Sequence, residues 1–262
     1  MNRFLTPAVI RGAIGIVAVA LILELFSVSG LLDPKLVPSV FVVIQRAAGL
    51  AVNTEFLGGI ATTLRSWAGG LLAAVVVAVP LGVLLGALPG VNAAARTLVE
   101  FLRPIPSVAL IPLAIIMFSE IGDWLMTGSL VFYASLWPIL INTVYALQDV
   151  DPLAKDTLRS FGFGSIALLW RVALPSAAPF IATGVRLAAS IGIVVVISAE
   201  LLSGGTSGIG VFLLKNNAAA GHTDVILAGA LWAGVIGLVI NTILVRAEKS
   251  AFRWFHERNA LA

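Results

Sequence analysis

The chain contains no cysteine, which excludes disulfides, thiolate metal sites and a cysteine nucleophile together. It is short of charge as well. Only 11% of its 262 residues are Asp, Glu, Lys or Arg, against about 25% in soluble domains. With 60% hydrophobic residues, that deficit argues against a water-soluble fold and for a membrane protein. The two histidines, His222 and His256, lie far apart in the chain, which argues against a His-rich metal cluster. The net charge of +3 would suggest nucleic acid only if the basic residues formed a soluble patch. They punctuate the apolar runs instead, as Lys and Arg do in membrane proteins. A phosphate-binding loop is also lacking. The glycine-rich run 204–210 has no lysine followed by Ser or Thr, which such a loop requires.

What is present is a series of apolar stretches. A membrane helix needs roughly 20 predominantly apolar residues, and the charges cut the chain into six candidate spans. Residues 12–32 carry Glu24 as their only charge, and 66–95 carry none, with the spanning part at 67–88. Residues 104–119 are short and hold three prolines, and 124–148 are free of charge. Residues 172–199 are interrupted only by Arg186, with the spanning part starting near Ala178, and 225–245 are again uncharged. With the N-terminus inside, eleven Lys and Arg fall on the inner side and four (Lys35, Arg46, Arg65 and Lys215) on the outer. That asymmetry is expected of cytoplasmic termini. Omitting the span at 104–119 would place Arg96 and Arg103 opposite Lys155, so six spans fit better than five. A cleaved signal peptide is an alternative for the first span, since Arg3 and Arg11 precede it and small residues follow at 27–30. Cleavage would leave the other five spans in the same orientation.

Between two of these runs lies a charged segment, 149–175, on the inner side of the predicted membrane. Asp151-Pro152 is a strong helix start, with Asp to cap free N–H groups and Pro suited to the first turn. Leu153, Thr157 and Leu158 fall on one side of that helix, with Lys155, Asp156 and Arg159 as polar contacts. Gly162 follows Phe161, where a left-handed C-terminal cap favours glycine. Ser165 is placed to cap a second helix through Trp170 that Leu174-Pro175 should end. Two short helices meeting at a glycine make a rigid knob. The alternative is an ordinary amphipathic loop on the lipid headgroups.

The run Asp156-Thr157-Leu158-Arg159-Ser160-Phe161-Gly162, followed by Val172-Ala173-Leu174-Pro175, resembles the "EAA" loop of ABC-importer permeases. In that pattern Glu-Ala-Ala is followed by three residues, Gly, nine residues, Ile, one residue and Leu-Pro. Gly162, Leu174 and Pro175 match in identity and spacing, with Val172 at the Ile position. The triplet departs: Asp156 keeps the charge, while Thr157 and Leu158 replace two alanines. The stretches 103–113, 183–188 and 199–202 are similar to the sulfonate, taurine and nitrate permease branch. The resemblance implies an all-α polytopic membrane protein of about six transmembrane helices with a cytoplasmic helix-turn-helix coupling loop, the type I ABC-importer permease fold. It implies one permease domain, 1–262, with the coupling loop at about 149–175 and an outer loop at about 203–224. Implied partners are a second permease copy, a cytoplasmic ABC ATPase dimer seated on the coupling loops, an extracytoplasmic solute-binding protein and the lipid of a bacterial cytoplasmic membrane, with no nucleic acid. No cofactor is expected in this subunit; ATP–Mg belongs to the ATPase. The implied coupling residues are Asp156, Thr157, Leu158, Arg159, Phe161, Gly162, Phe163, Ser165, Leu174 and Pro175. The implied solute is a small anion such as a sulfonate, taurine or nitrate.

Charges inside spans are costly and therefore functional candidates. Arg186, Ser190 and Glu200 are the candidates for the solute path. Arg186, near the cytoplasmic end of its span, is better suited to reach the inner headgroups, and Glu200 is equally suited to gate the outer mouth or to hold the loop at Gly204. Glu24 is open to a partner on a neighbouring span. Gly82, Gly86 and Gly90, and Gly229, Ala233 and Gly237, recur at four-residue spacing, which lets helices approach closely. Two rival classes remain. An intramembrane protease would need a Ser–His pair, paired Asp or HExxH within the bilayer, and none occurs in the predicted spans. A passive channel gives no reason for a folded inner knob.

Overall fold

The computed structural model describes residues 7–29, 38–118, 120–217 and 223–254. Both histidines and part of the outer segment expected at 203–224 lie outside those residues. Among the described residues every regular element is helical. In chain order these are α1 (Pro7–Val28), α2 (Val40–Leu50), α3 (Thr54–Ala87), α4 (Pro89–Leu102), a 3₁₀ turn (Ser107–Leu110) leading into α5 (Ile111–Phe118), α6 (Asp123–Gln148), α7 (Pro152–Ser160) and α8 (Ser165–Leu168). A π turn, Leu169–Ala173, joins α8 to α9 (Leu174–Ser203), which is followed by α10 (Ile209–Asn217) and α11 (Thr223–Ala251).

Four helical stretches among the described residues are long and apolar enough to cross a membrane: Thr54–Ala87, Asp123–Gln148, Ser165–Ser203 and Thr223–Ala251. The third predicted span is corrected. The run expected at 104–119 is only the second half of a pair, Pro89–Leu102 plus Ser107–Phe118, bent by 79°. Proline explains the bend. In a continuous helix the Leu102 carbonyl would accept a hydrogen bond from residue 106, but Pro106 has no N–H to give. That carbonyl accepts instead from Ile105 N–H at 3.2 Å and from the Tyr133 hydroxyl of α6 at 2.6 Å. The broken backbone is thus satisfied from a neighbouring helix, as the bilayer interior demands. Counting this pair as one span gives five. The first predicted span runs past the described residues; α1 is described over Pro7–Val28 and its C-terminal part is a shorter apolar helix.

The second span starts well before residue 67. Asn53 caps α3, its side chain accepting from Phe56 N–H at 2.8 Å, so Glu55 and Arg65 sit within the helix rather than before it. Arg65 is accommodated by lying over the Trp124 ring at 4.8 Å.

The centre of the fold is α6 packed along α3 and α9, which also meet each other, the Trp67 indole N–H of α3 donating to the Ala189 carbonyl of α9 at 2.9 Å. Leu71, Ala74, Ala78, Ile139, Leu140, Ala188 and Ala189 form its buried core. Small residues permit this approach. A Cβ at Gly70 would collide with the Gly128 carbonyl and Val131, and one at Gly82 would lie 2.6 Å from Thr143 Cβ. Gly90, the third of the predicted series, faces open space, so the repeat packs helices at Gly82 and Gly86 only.

The contacts also sort the helix ends into two groups. At one end Gly86 of α3 meets Leu147 of α6, and Arg186 of α9 pairs with Glu248 of α11. At the other, Gly59 of α3 meets the turn at Gly208, Asp123 of α6 binds Thr206, and Gly229 of α11 meets Leu213. The segment 149–175 belongs to the first group. A cavity of about 280 Å³ lined by Arg96, Arg103, Tyr145 and Gln148 places the two arginines near the start of that loop, on the side the charge asymmetry requires.

Candidate functional site

The segment 149–175 begins as its sequence predicts. The Asp151 side chain accepts from Leu153 N–H at 2.8 Å, Pro152 is the first helical residue, and α7 runs nine residues to Ser160. Gly162 has φ +82°, a conformation that L side chains disfavour. Its N–H donates to the Arg159 carbonyl at 2.9 Å, and Phe163 N–H donates to the Leu158 carbonyl at 3.2 Å, closing the helix end. No atom lies within 4 Å of a Cβ built at Gly162. Backbone conformation, and not crowding, is therefore what requires glycine there.

The rest of the segment's geometry differs from expectation in three ways. Gly164 is the N-cap of α8 and no side chain caps it, so Ser165 is the first helical residue and not the cap. Leu174-Pro175 does not end the helix. The five-residue π turn Leu169–Ala173 precedes Pro175, and the helix continues into α9. A π turn widens the backbone where the proline withholds its N–H. The knob's second helix is therefore the foot of a rod, Ser165–Ser203, of 39 residues, about 58 Å at 1.5 Å per residue. The third difference is the facing of α7. Leu158 is half-buried, whereas Leu153 and Thr157 are exposed, so those three do not share one side.

The base of the loop is anchored. Val150, Ala173 and Ala177 are buried with Ala146 and Leu147 of α6, and Lys155 Nζ donates to the Leu147 carbonyl at 3.4 Å, where a cation suits a helix C-terminus. The tip is the opposite. Leu153, Phe161, Ile166 and Trp170 are 72%, 77%, 77% and 68% exposed. Phe163 is partly shielded by the Arg171 guanidinium, 4.7 Å from its ring. Asp156 and Arg159 form an exposed ion pair at 3.2 Å, worth little in stability but orienting both charges. The arrangement is a held base bearing four unpartnered apolar side chains.

The solute-path candidates do not converge. Arg186 lies 3.5 Å from Glu248 of α11, whose other carboxylate oxygen accepts from Thr183 at 3.2 Å. Ser190 is exposed one turn further on and donates to the Arg186 carbonyl. Glu200 is 2% exposed at the far end of α9 and fully engaged. Its two oxygens accept from the Thr63 hydroxyl at 2.8 and 2.9 Å, and one accepts from Gly210 N–H at 3.0 Å. Of the two roles open to it, that geometry is the one of holding the loop at Gly204. Glu24 accepts from Val40 N–H at 2.7 Å, at the start of α2. Sequence reasoning missed Thr63 and Glu248 because a partner 137 or 62 positions away leaves no local signal. Among the described residues no group of three His, Cys, Asp or Glu is placed to hold a metal.

Residues 78–251 match the family described as binding-protein-dependent transport system inner membrane component. A putative ABC transporter permease protein of Methanocaldococcus jannaschii is 31% identical over 221 residues, covering 84% of this chain and 82% of that protein. The nitrate import permease protein of a Synechocystis strain is 28% identical, over 93% and 89% of the two chains. The taurine transport system permease protein of Escherichia coli is 29% identical over 71% and 66%. Among solved structures, an inward-facing methionine ABC transporter shares the fold with a TM-score of 0.60 at 16% identity, over 80% of this chain and 96% of that one.

Proposed function

This chain belongs to the family of binding-protein-dependent transport inner membrane components, as the permease subunit of an ABC importer and not itself an enzyme, and on that premise we propose that loop 149–175 is its socket for the ATPase. The observation that carries the reading is the exposed set Leu153, Phe161, Ile166 and Trp170 on a loop whose base is buried. Exposed apolar side chains of this size mark a surface that a protein or lipid covers, and a folded loop on a buried base favours the protein. The residues assigned to the contact are Asp156, Thr157, Leu158, Arg159, Phe161, Gly162, Phe163 and Ser165, with Leu174 and Pro175 at the entry to the rod.

On this reading each of two permease copies seats one ATPase, both termini are cytoplasmic, and ATP–Mg stays on the ATPases. An outer binding protein delivers the solute. Closure of the ATPase dimer moves α7 and α8, and because α8 continues into α9 the displacement enters the membrane along the rod as rigid-body motion. The solute proposed is a small anion such as nitrate or an organic sulfonate, supported by the names of the nitrate and taurine relatives. Arg186 and Ser190 are the path candidates. Glu248 keeps the Arg186 charge compensated until a solute arrives.

The test is copurification. The unaltered chain should bring down its cognate ATPase, and a chain lacking residues 156–162 should not. Equal recovery of the ATPase from both would end this reading. Native mass spectrometry of the binding protein with its captured ligand identifies the solute.

A further inference from the structure

The far end of the rod shows how motion delivered to α9 can leave it again. After Ser203 the chain turns through Gly204 (φ +65°) and Gly208 (φ +150°) before α10 begins at Ile209. A glycine turn of this kind is a compliant joint, and a push along α9 would dissipate in it unless the joint were tied. It is tied by a closed set of buried hydrogen bonds. Ile209 N–H donates to Thr63 Oγ1 at 3.0 Å, the Thr63 hydroxyl donates to the Glu200 carboxylate, and Gly210 N–H donates to the same carboxylate. Thr63 is 0% exposed and Glu200 2%.

Three helices meet in this set. Glu200 belongs to α9, Thr63 to α3, and the two N–H groups open α10. The first N–H groups of a helix have no acceptor within it, and a negative group at that terminus is favoured by the helix dipole. Here neither acceptor comes from the residue before the helix. Both come from other helices, so α10 is capped only while α3 and α9 hold their relative positions. Glycine lets the parts close: a Cβ at Gly208 or Gly210 would collide with Glu200, and one at Gly59 would meet the Gly208 backbone at 3.0 Å. The turn itself is held by Asp123 of α6, which accepts from both the N–H and the hydroxyl of Thr206 at 2.6 Å.

We propose that Glu200 and Thr63 are positioning residues for transport: they lock the outer end of the α8–α9 rod to α3 and to the start of α10, so that motion entering at the coupling loop arrives at the outer mouth as one movement. The proposal rests on the coupling-loop reading above. Its chemistry calls for a carboxylate at 200, with two acceptor oxygens, and a hydroxyl at 63, which accepts and donates at once.

The experiment uses the whole transporter, permease pair with ATPases and binding protein, reconstituted in liposomes. Thr63→Val preserves shape and removes the hydroxyl, Thr63→Ser restores it, and Glu200→Gln exchanges one of the two acceptor oxygens for a donor. Expected for Thr63→Val and Glu200→Gln are normal assembly, basal ATP hydrolysis near that of the unaltered chain, and solute moved per ATP reduced about tenfold, within the usual range of coupling between sites. Thr63→Ser should recover transport. Because the chain has no cysteine, Leu57→Cys with Leu202→Cys places one spin label on α3 and one on α9. Their separation should stay constant across the ATP cycle in the unaltered background and vary in Thr63→Val. Unchanged transport per ATP in both variants overturns the proposal. So does failure of both to assemble, which would make the contact structural only. If the coupling-loop reading is what fails, the unaltered chain itself will show hydrolysis indifferent to the permease, a different result.

Discussion

The two ends of the α8–α9 rod are built on opposite principles. At the coupling loop the side chains that matter are exposed, the glycine at 162 has empty space around it, and the tip is unpartnered within the chain. At the outer turn the important side chains are buried, the glycines are crowded, and Thr63, Asp123 and Glu200 converge on one turn. On the reading proposed above the first surface is completed by another protein, whereas the second is complete within one chain. A lever needs this asymmetry, with a handle open to the motor and a joint closed against slack.

The largest expected effect breaks the outer end. Gly208→Val combines a positive φ with a Cβ placed on the Glu200 carboxylate. Strained backbone alone costs about 1–3 kcal/mol and overpacking a similar amount again. The expected outcome is loss of folded protein, read as yield after detergent extraction and as melting temperature. The matching substitution at the inner end should behave differently. Gly162→Val meets no neighbour, so the fold should survive with a local strain of about 1–3 kcal/mol, while ATP-driven uptake is lost because α7 no longer meets α8 at the required angle. Normal uptake by Gly162→Val would argue against the coupling-loop reading, and normal yield of Gly208→Val against the closed joint.

The contrast also governs what could be read from the residues alone. Asp151-Pro152 and Gly162 were legible because capping and positive φ are local demands with local residue preferences. The apolar runs at α6, α9 and α11 were legible because lipid imposes hydrophobicity directly. Pro175 was misleading: a proline often stops a helix, but here a π turn precedes it and the helix continues into α9. The span at 104–119 failed for a related reason. Pro106 breaks the helix, and the Tyr133 hydroxyl that makes the break tolerable lies 31 positions from its acceptor. The start of α3 was hidden because charge was taken to mark the end of a span, while Arg65 finds Trp124 and stays inside the helix. The closed outer joint was the least legible part, since every bond in it depends on how helices cross.

A smaller effect sharpens the description of the inner end. Phe161→Asp replaces one of the two most exposed apolar side chains of the tip with a charge. Burying a phenylalanine is worth roughly 1.5–3 kcal/mol, so the affinity for the ATPase should fall on the order of tenfold or more. The melting temperature of the isolated permease should be unchanged, because Phe161 is already 77% exposed. Titration of purified ATPase onto the permease in nanodiscs measures the first quantity and a melting curve the second. A drop in melting temperature would mean that the tip packs within the chain and is no handle.

The smallest effect compares the two carboxylates that meet the rod, Glu248 and Glu200. Glu248 faces Arg186 at 3.5 Å without a hydrogen bond between them, and the arginine side chain is 31% exposed. Without a hydrogen bond between its charges, such a pair gains less than one that has it. Glu200 accepts hydrogen bonds from groups that are fully buried, and hydrogen bonds to charged groups contribute about 1.5–3 kcal/mol. Double-mutant cycles on unfolding should therefore give a small coupling for Arg186→Ala with Glu248→Ala and a clearly larger one for Thr63→Val with Glu200→Gln. The sizes matter for mechanism as well as stability. A pair without a hydrogen bond can exchange Glu248 for an arriving anion, which is what a path residue must do. A strong, dry one cannot let go without losing the cap of α10. Equal couplings would place both carboxylates in the same role and remove Arg186 from the solute path.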